Sequence, residues 1–144
     1  MSPEARDRDR DRDRQVASIL VVDDQPATLQ AMEALLADLA EVVLAGSGPQ
    51  ALRCCLESDF AVILLDVRMP GMDGFETAEL IRSREASKAT PIIFLTADNQ
   101  SAAQSMRGYE AGAVDYLVKP VVPEVLRSKV AGRSRSSPIS SISK

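Results

Sequence analysis

Five short apolar runs, separated by stretches with helical periodicity, predict an α/β fold: a doubly wound parallel sheet of five strands with helices on both faces. Composition points the same way. Of the 144 residues, 45% are hydrophobic and only 3% aromatic, so the core must come from Val, Ile, Leu and Ala. The third observation is where the acids fall. Asp66 ends the apolar run 60–65, and Asp23 and Asp24 end the run 18–22, at the carboxyl ends of strands where open α/β sheets bind ligands.

The elements follow in order. Residues 1–15 alternate Asp and Arg from Arg6 to Arg14. Their charges cancel and nothing apolar can be buried, so a disordered charged arm is expected there. The domain proper is expected over 16–131. Its first strand, 18–22, precedes a helix opening at Pro26, a favoured first helical position, with Leu29, Met32, Leu35, Leu36 and Leu39 at helical spacing. Strand 41–45 leads through Gly46-Ser47-Gly48-Pro49 into a helix reaching about Glu57. Strand 60–65 is rich in β-branched and aliphatic residues, as a strand buried on both faces requires. The Pro-Gly and Asp-Gly pairs of 70–74 read as a loop, followed by a helix to about Arg84. Strand 91–95 precedes a polar loop and a helix near 101–111. Strand 114–118 precedes Lys119-Pro120 and a last helix from Pro123. Gly132 reads as its stop, giving a short helix whose Val122, Leu126 and Val130 are left weakly covered. Residues 132–144, rich in Ser and Arg, are expected to form a disordered tail.

The composition excludes several chemistries. The chain has no histidine, which removes Ser-His-Asp and Cys-His catalysis, most zinc sites and any phosphohistidine formed on this chain. The net charge of −4 weighs against a nucleic-acid surface. No apolar stretch approaches the roughly 20 residues that span a membrane, and the amino terminus lacks the apolar core of a signal peptide, so a cytoplasmic location is expected. Cys54 and Cys55 are adjacent, which suits neither a relaxed disulfide nor a metal site; they read as structural thiols.

Four strand ends carry polar groups: Asp23 and Asp24, Asp66, Thr96, and Lys119. Converging on one cleft, three carboxylates would repel unless a cation lay between them, and hard oxygen ligands favour magnesium. A hydroxyl and an ammonium beside such a cation would bind a phosphoryl group and offset the charge on its oxygens during transfer. One carboxylate could itself be the nucleophile, forming an acyl phosphate.

Four segments carry a resemblance: Val21-Val22-Asp23-Asp24; Leu64 to Gly74; Pro91 to Ala97; and Gly112 to Pro120. In that order and spacing, over roughly 17–130, the chain resembles the receiver domain of two-component response regulators, whose simplest members are single-domain chemotaxis-type proteins. The resemblance implies a flavodoxin-like strand order 2-1-3-4-5. It implies Asp66 as the phosphoacceptor and Asp23 and Asp24 as the acidic pair holding Mg2+. Arg68 would offer a main-chain carbonyl to the metal, and Thr96 and Lys119 would contact the phosphoryl group. Tyr116 would be the aromatic switch residue, and Lys119–Pro120 a cis bond. It further implies a histidine kinase or histidine phosphotransfer protein as phosphodonor and only slow self-catalysed transfer and hydrolysis. The weakly covered face of strand 114–118 and the short last helix predicts self-association or partner docking, with a homodimer through the 114–130 face.

Two rivals of other classes match part of the pattern. Gly46-Ser47-Gly48-Pro49-Gln50-Ala51 fits a dinucleotide-binding fingerprint, but it follows the second strand, and Pro49 removes an N–H that would face a pyrophosphate. A haloacid-dehalogenase-type phosphotransferase also uses an Asp nucleophile with magnesium, but wants a second Asp where Arg68 stands. Within the resemblance, a receiver cut from a hybrid sensor kinase and a pseudo-receiver that is never phosphorylated remain alternatives.

Overall fold

A computed structural model gives the structure of residues 17–97 and 113–142, with side chains described except at 113–114 and 133–142. The expected arm over 1–15 and the helix near 101–111 lie outside the described residues. The elements are β1 (Ser18–Val22), α1 (Pro26–Leu36), β2 (Glu41–Ala45), α2 (Gly48–Glu57), β3 (Val62–Asp66), α3 (Gly74–Arg82), β4 (Ile92–Thr96), β5 (Ala113–Val118) and α4 (Pro123–Ile142). The strands form one five-stranded sheet in the order β2-β1-β3-β4-β5, and every pairing is parallel. The expected fold class and strand order are therefore observed.

Each central strand is buried on both faces, and alternate residues feed two cores. Leu20, Val22, Ile63, Leu65, Ile92 and Phe94 pack with Ala51 and Cys55 of α2 and with Phe75, Ala78 and Ile81 of α3. Ile19, Val21, Val62, Leu64, Ile93 and Leu95 pack with Met32 and Leu36 of α1 and with Leu126 and Val130 of α4. The period-2 geometry of a strand thus divides one apolar run between two helical layers. Because β1, β3 and β4 are covered on both sides, their carboxyl ends are fixed in register. In that register Asp66 pairs with Leu95 and Thr96 pairs with Val118.

Helix starts are set by local chemistry. The Ser47 side chain caps α2 by accepting from the Gln50 N–H at 3.2 Å. Asp73 and Glu76 form a capping box at the start of α3, each side chain accepting from the other residue's N–H, at 2.8 and 2.9 Å. Gly48 explains itself by packing: a Cβ there would strike Thr77 Oγ1 and come within 2.8 Å of Met72 Sδ. The second glycine of the apparent dinucleotide fingerprint therefore lets α2 approach α3.

The last helix corrects the expectation of a short one. α4 continues through Gly132 to Ile142. Gly132 does not take the left-handed conformation of a helix stop; among the described residues only Gly71 has a positive φ, 77°. A glycine inside a helix costs about 1 kcal/mol relative to alanine and need not end it. Nor are Leu126 and Val130 weakly covered, since both are fully buried in the second core. Two ion pairs hold the helix from either side. Arg127 donates to Asp38 through both terminal nitrogens, at 2.8 and 3.0 Å, and to the Leu35 carbonyl at 2.7 Å. Lys129 meets Asp115 of β5 at 2.6 Å.

Candidate functional site

The carboxyl ends of β1, β3, β4 and β5 bring together the residues singled out in the sequence. Asp23, just past β1, is fully buried, and Asp66, the last residue of β3, is 5% exposed. Asp24 is exposed, yet carboxylate oxygens of Asp23, Asp24 and Asp66 lie within 4.8 Å of one another. The Lys119 ammonium reaches between two of them, 2.9 Å from Asp23 Oδ2 and 3.2 Å from Asp66 Oδ1. The other Asp23 oxygen accepts the Gln25 N–H at 3.0 Å. A buried carboxylate is tolerable because it is paired and hydrogen-bonded on both oxygens.

Charge and burial act in opposite directions at Asp66. Burial raises its pKa, and the neighbouring Asp23 charge raises it further. The Lys119 charge and hydrogen bond and the Arg68 main-chain N–H act against this, and the carboxyl ends at about 6, against 3.8 ordinarily. At Lys119 burial lowers the pKa, but the hydrogen bond to Asp23 and the charges of Asp66 and Asp23 outweigh it, so the ammonium is held above its usual range. Both shifts run upward, Asp66 through burial and the Asp23 charge and Lys119 through the two carboxylates, so added positive charge is stabilised between them.

Thr96 ends β4 and is 5% exposed. Its carbonyl accepts the Lys119 N–H at 2.7 Å, so the hydroxyl-bearing and ammonium-bearing strand ends are tied together. Lys119–Pro120 is cis. Tyr116 is half-buried and pairs in register with Phe94, its ring 5.8 Å from that of Phe94. The Arg68 side chain is exposed, while its main-chain N–H reaches the Asp66 carboxylate.

Two supports of the site lie outside the residues singled out from the sequence. One is the Gln25 N–H on Asp23, a backbone contact that no residue type advertises. The other is the Asp73-Gly74-x-Glu76 start of α3, which abuts the back of Asp66; its Asp-x-x-Glu spacing is a capping signal that could have been read.

Residues 19–131 match the response regulator receiver domain family, and the chain belongs to that family. It is 38% identical over 125 residues to the signal transduction histidine-protein kinase BarA of Shigella flexneri, covering 86% of this chain but 14% of the kinase. Among solved structures, chemotaxis protein CheY4 of Vibrio cholerae is 37% identical with a TM-score of 0.76, over 80% of this chain and 96% of that one. The receiver domain of a sensor histidine kinase from Pseudomonas aeruginosa PAO1 was solved with a magnesium ion coordinated in its active site cleft. It is 33% identical with a TM-score of 0.75, over 85% of this chain and 99% of that one. The protein is thus a signalling phosphoacceptor module of two-component transduction, with an acidic pocket of Asp23, Asp24 and Asp66 suited to magnesium-dependent phosphoryl acceptance. Modules of this class receive their phosphoryl group from a histidine kinase or phosphotransfer protein. Among the described residues no helix is long and apolar enough to cross a membrane.

Proposed function

We propose that Asp66 is the phosphoacceptor, and that Asp23, Asp24, Asp66 and the main-chain carbonyl of Arg68 hold Mg2+. The observation that carries this reading is the Lys119 ammonium lodged between Asp23 and Asp66, with the Asp24 carboxylate beside them. An all-oxygen donor set of three carboxylates fits a hard divalent cation. When bound, the cation supplies positive charge that offsets the charge spread over the phosphoryl oxygens. An Asp66 oxygen attacks phosphorus in line; the O–P bond forms as the P–N bond to the donor imidazole breaks, and the nitrogen leaves with the bonding pair. Lys119 and the Thr96 hydroxyl then bind phosphoryl oxygens. Drawing Thr96 toward the phosphoryl group frees space for Tyr116 to turn inward, so that phosphorylation shifts an existing balance between two states.

The receiver occupies 16–131 in this reading and works in the cytoplasm. The phosphodonor is a histidine kinase or histidine phosphotransfer protein, and no nucleic acid is bound. The chain self-associates through the 114–130 face, where Val118, Val122 and Val125 are 42%, 52% and 42% exposed. Acetyl phosphate with magnesium, followed by intact mass measurement, tests the reading. One phosphoryl adduct is expected, absent with EDTA and absent in Asp66→Asn. A well-folded wild type that takes no adduct from several donors would favour a docking module that is never phosphorylated.

A further inference from the structure

Behind Asp66 the backbone is packed too tightly to admit a side chain at position 74. A Cβ on Gly74 would collide with the Asp66 carbonyl oxygen and lie 2.9 Å from Val67 Cα and 3.0 Å from the Asp66 carbonyl carbon. These neighbours are all main chain, so none can swing aside as a side-chain tip would. The Gly74 N–H also donates to the Val67 carbonyl at 2.9 Å. The contact is held from the far side: the Asp73–Glu76 capping box fixes the first turn of α3, and the buried Thr77 hydroxyl donates to the Asp73 carbonyl at 2.8 Å. Phe75, 2% exposed, anchors the same turn in the core against Phe94, ring centroids 4.8 Å apart. The helix start can therefore retreat only by breaking its cap or its packing.

We propose that Gly74 is a positioning residue for the phosphoacceptor: by letting the first turn of α3 abut Asp66 and Val67, it sets the 66–68 turn from which the Asp66 carboxylate and the Arg68 main chain are presented. The claim rests on the reading of Asp66 as the acceptor and goes beyond it, since Gly74 brings no side chain to the cleft and acts through the Asp66 and Val67 main chain. A displaced turn moves two groups that must be oriented together, and small misplacements of reacting groups are costly in rate.

The test compares wild type, Gly74→Ala and Leu126→Ala, the last a truncation in the second core that leaves the start of α3 and its cap intact. Magnesium affinity is measured by calorimetry and the phosphorylation rate with acetyl phosphate at saturating magnesium. Gly74→Ala should bind magnesium about tenfold more weakly and react about tenfold more slowly. Leu126→Ala should lose thermal stability while keeping both values within about twofold of wild type. A folded Gly74→Ala with wild-type affinity and rate overturns the proposal; a wild type that takes no phosphoryl group overturns the Asp66 reading instead. Should Gly74→Ala fail to fold, amide exchange in the wild type decides. Magnesium should slow exchange of the Gly74 amide along with those of Val67 and Arg68, and an unchanged Gly74 amide counts against the proposal.

Discussion

Asp66 and Lys119 carry opposite consequences of one arrangement. The Asp66 carboxyl is raised to about 6, above the 3.8 of an unperturbed aspartate, first by burial and then by the Asp23 charge. A folded-state pKa above the unfolded one means the native state holds this proton more tightly. Its contribution to stability is therefore complete below about pH 4 and is lost as pH rises through about 6. In magnesium-free buffer, wild type should gain stability relative to Asp66→Asn as pH falls from 7 to 4, read as the difference in melting temperature. A difference that stays flat across that window would contradict the burial argument. Lys119, held above its usual range, stays charged throughout. Lys119→Met would leave a fully buried Asp23 facing a nearly buried Asp66, with a loss of about 3–5 kcal/mol expected without magnesium. Chemical denaturation with and without magnesium checks this, and the cation should restore more stability to the variant than it adds to wild type.

At the scale of elements, the strands and their ends were the most legible part of the chain. A strand buried on both faces needs an unbroken apolar run, so β1, β3 and β4 show directly in the sequence, and the acids that stop the runs mark the cleft. α4 was legible only at its start. Gly132 looks like a stop in a sequence read locally, but the helix is held by tertiary contacts: Leu126 and Val130 in the core, Arg127 on Asp38 and Lys129 on Asp115. Ion pairs between residues so far apart in the chain leave no periodic trace. Leu126→Ala should accordingly cost about 2–5 kcal/mol in denaturant unfolding, as truncation in a closed core does; a loss under about 1 kcal/mol would mean an exposed helix. β5 meets this helix through Asp115, and Lys119, the residue that follows β5, reaches the site. Thr96→Ala should still accept a phosphoryl group, but the amide resonances of 113–118 should shift less than in wild type when beryllofluoride is added. Equal shifts would remove Thr96 from the coupling.

For the molecule as a whole, the two helical layers serve one edge of the sheet, and the acidic cleft there is what the family likeness and the geometry share. The chain spans 14% of the length of the BarA kinase it matches. The pairing proposed for the 114–130 face is checked by sedimentation over a concentration series. A dimer that strengthens with concentration is expected, and weakening by Val122→Asp would locate the contact; a monomer at all concentrations would contradict it. The central claim, that the phosphoryl group is carried by Asp66, has a more direct test. The protein is phosphorylated with acetyl phosphate and magnesium, reduced with borohydride to convert the acyl phosphate to an alcohol, and digested for tandem mass spectrometry. Homoserine at position 66, and at neither 23 nor 24, is the predicted result. Homoserine at Asp23 or Asp24, or a phosphoryl adduct that yields no homoserine at all, would contradict it.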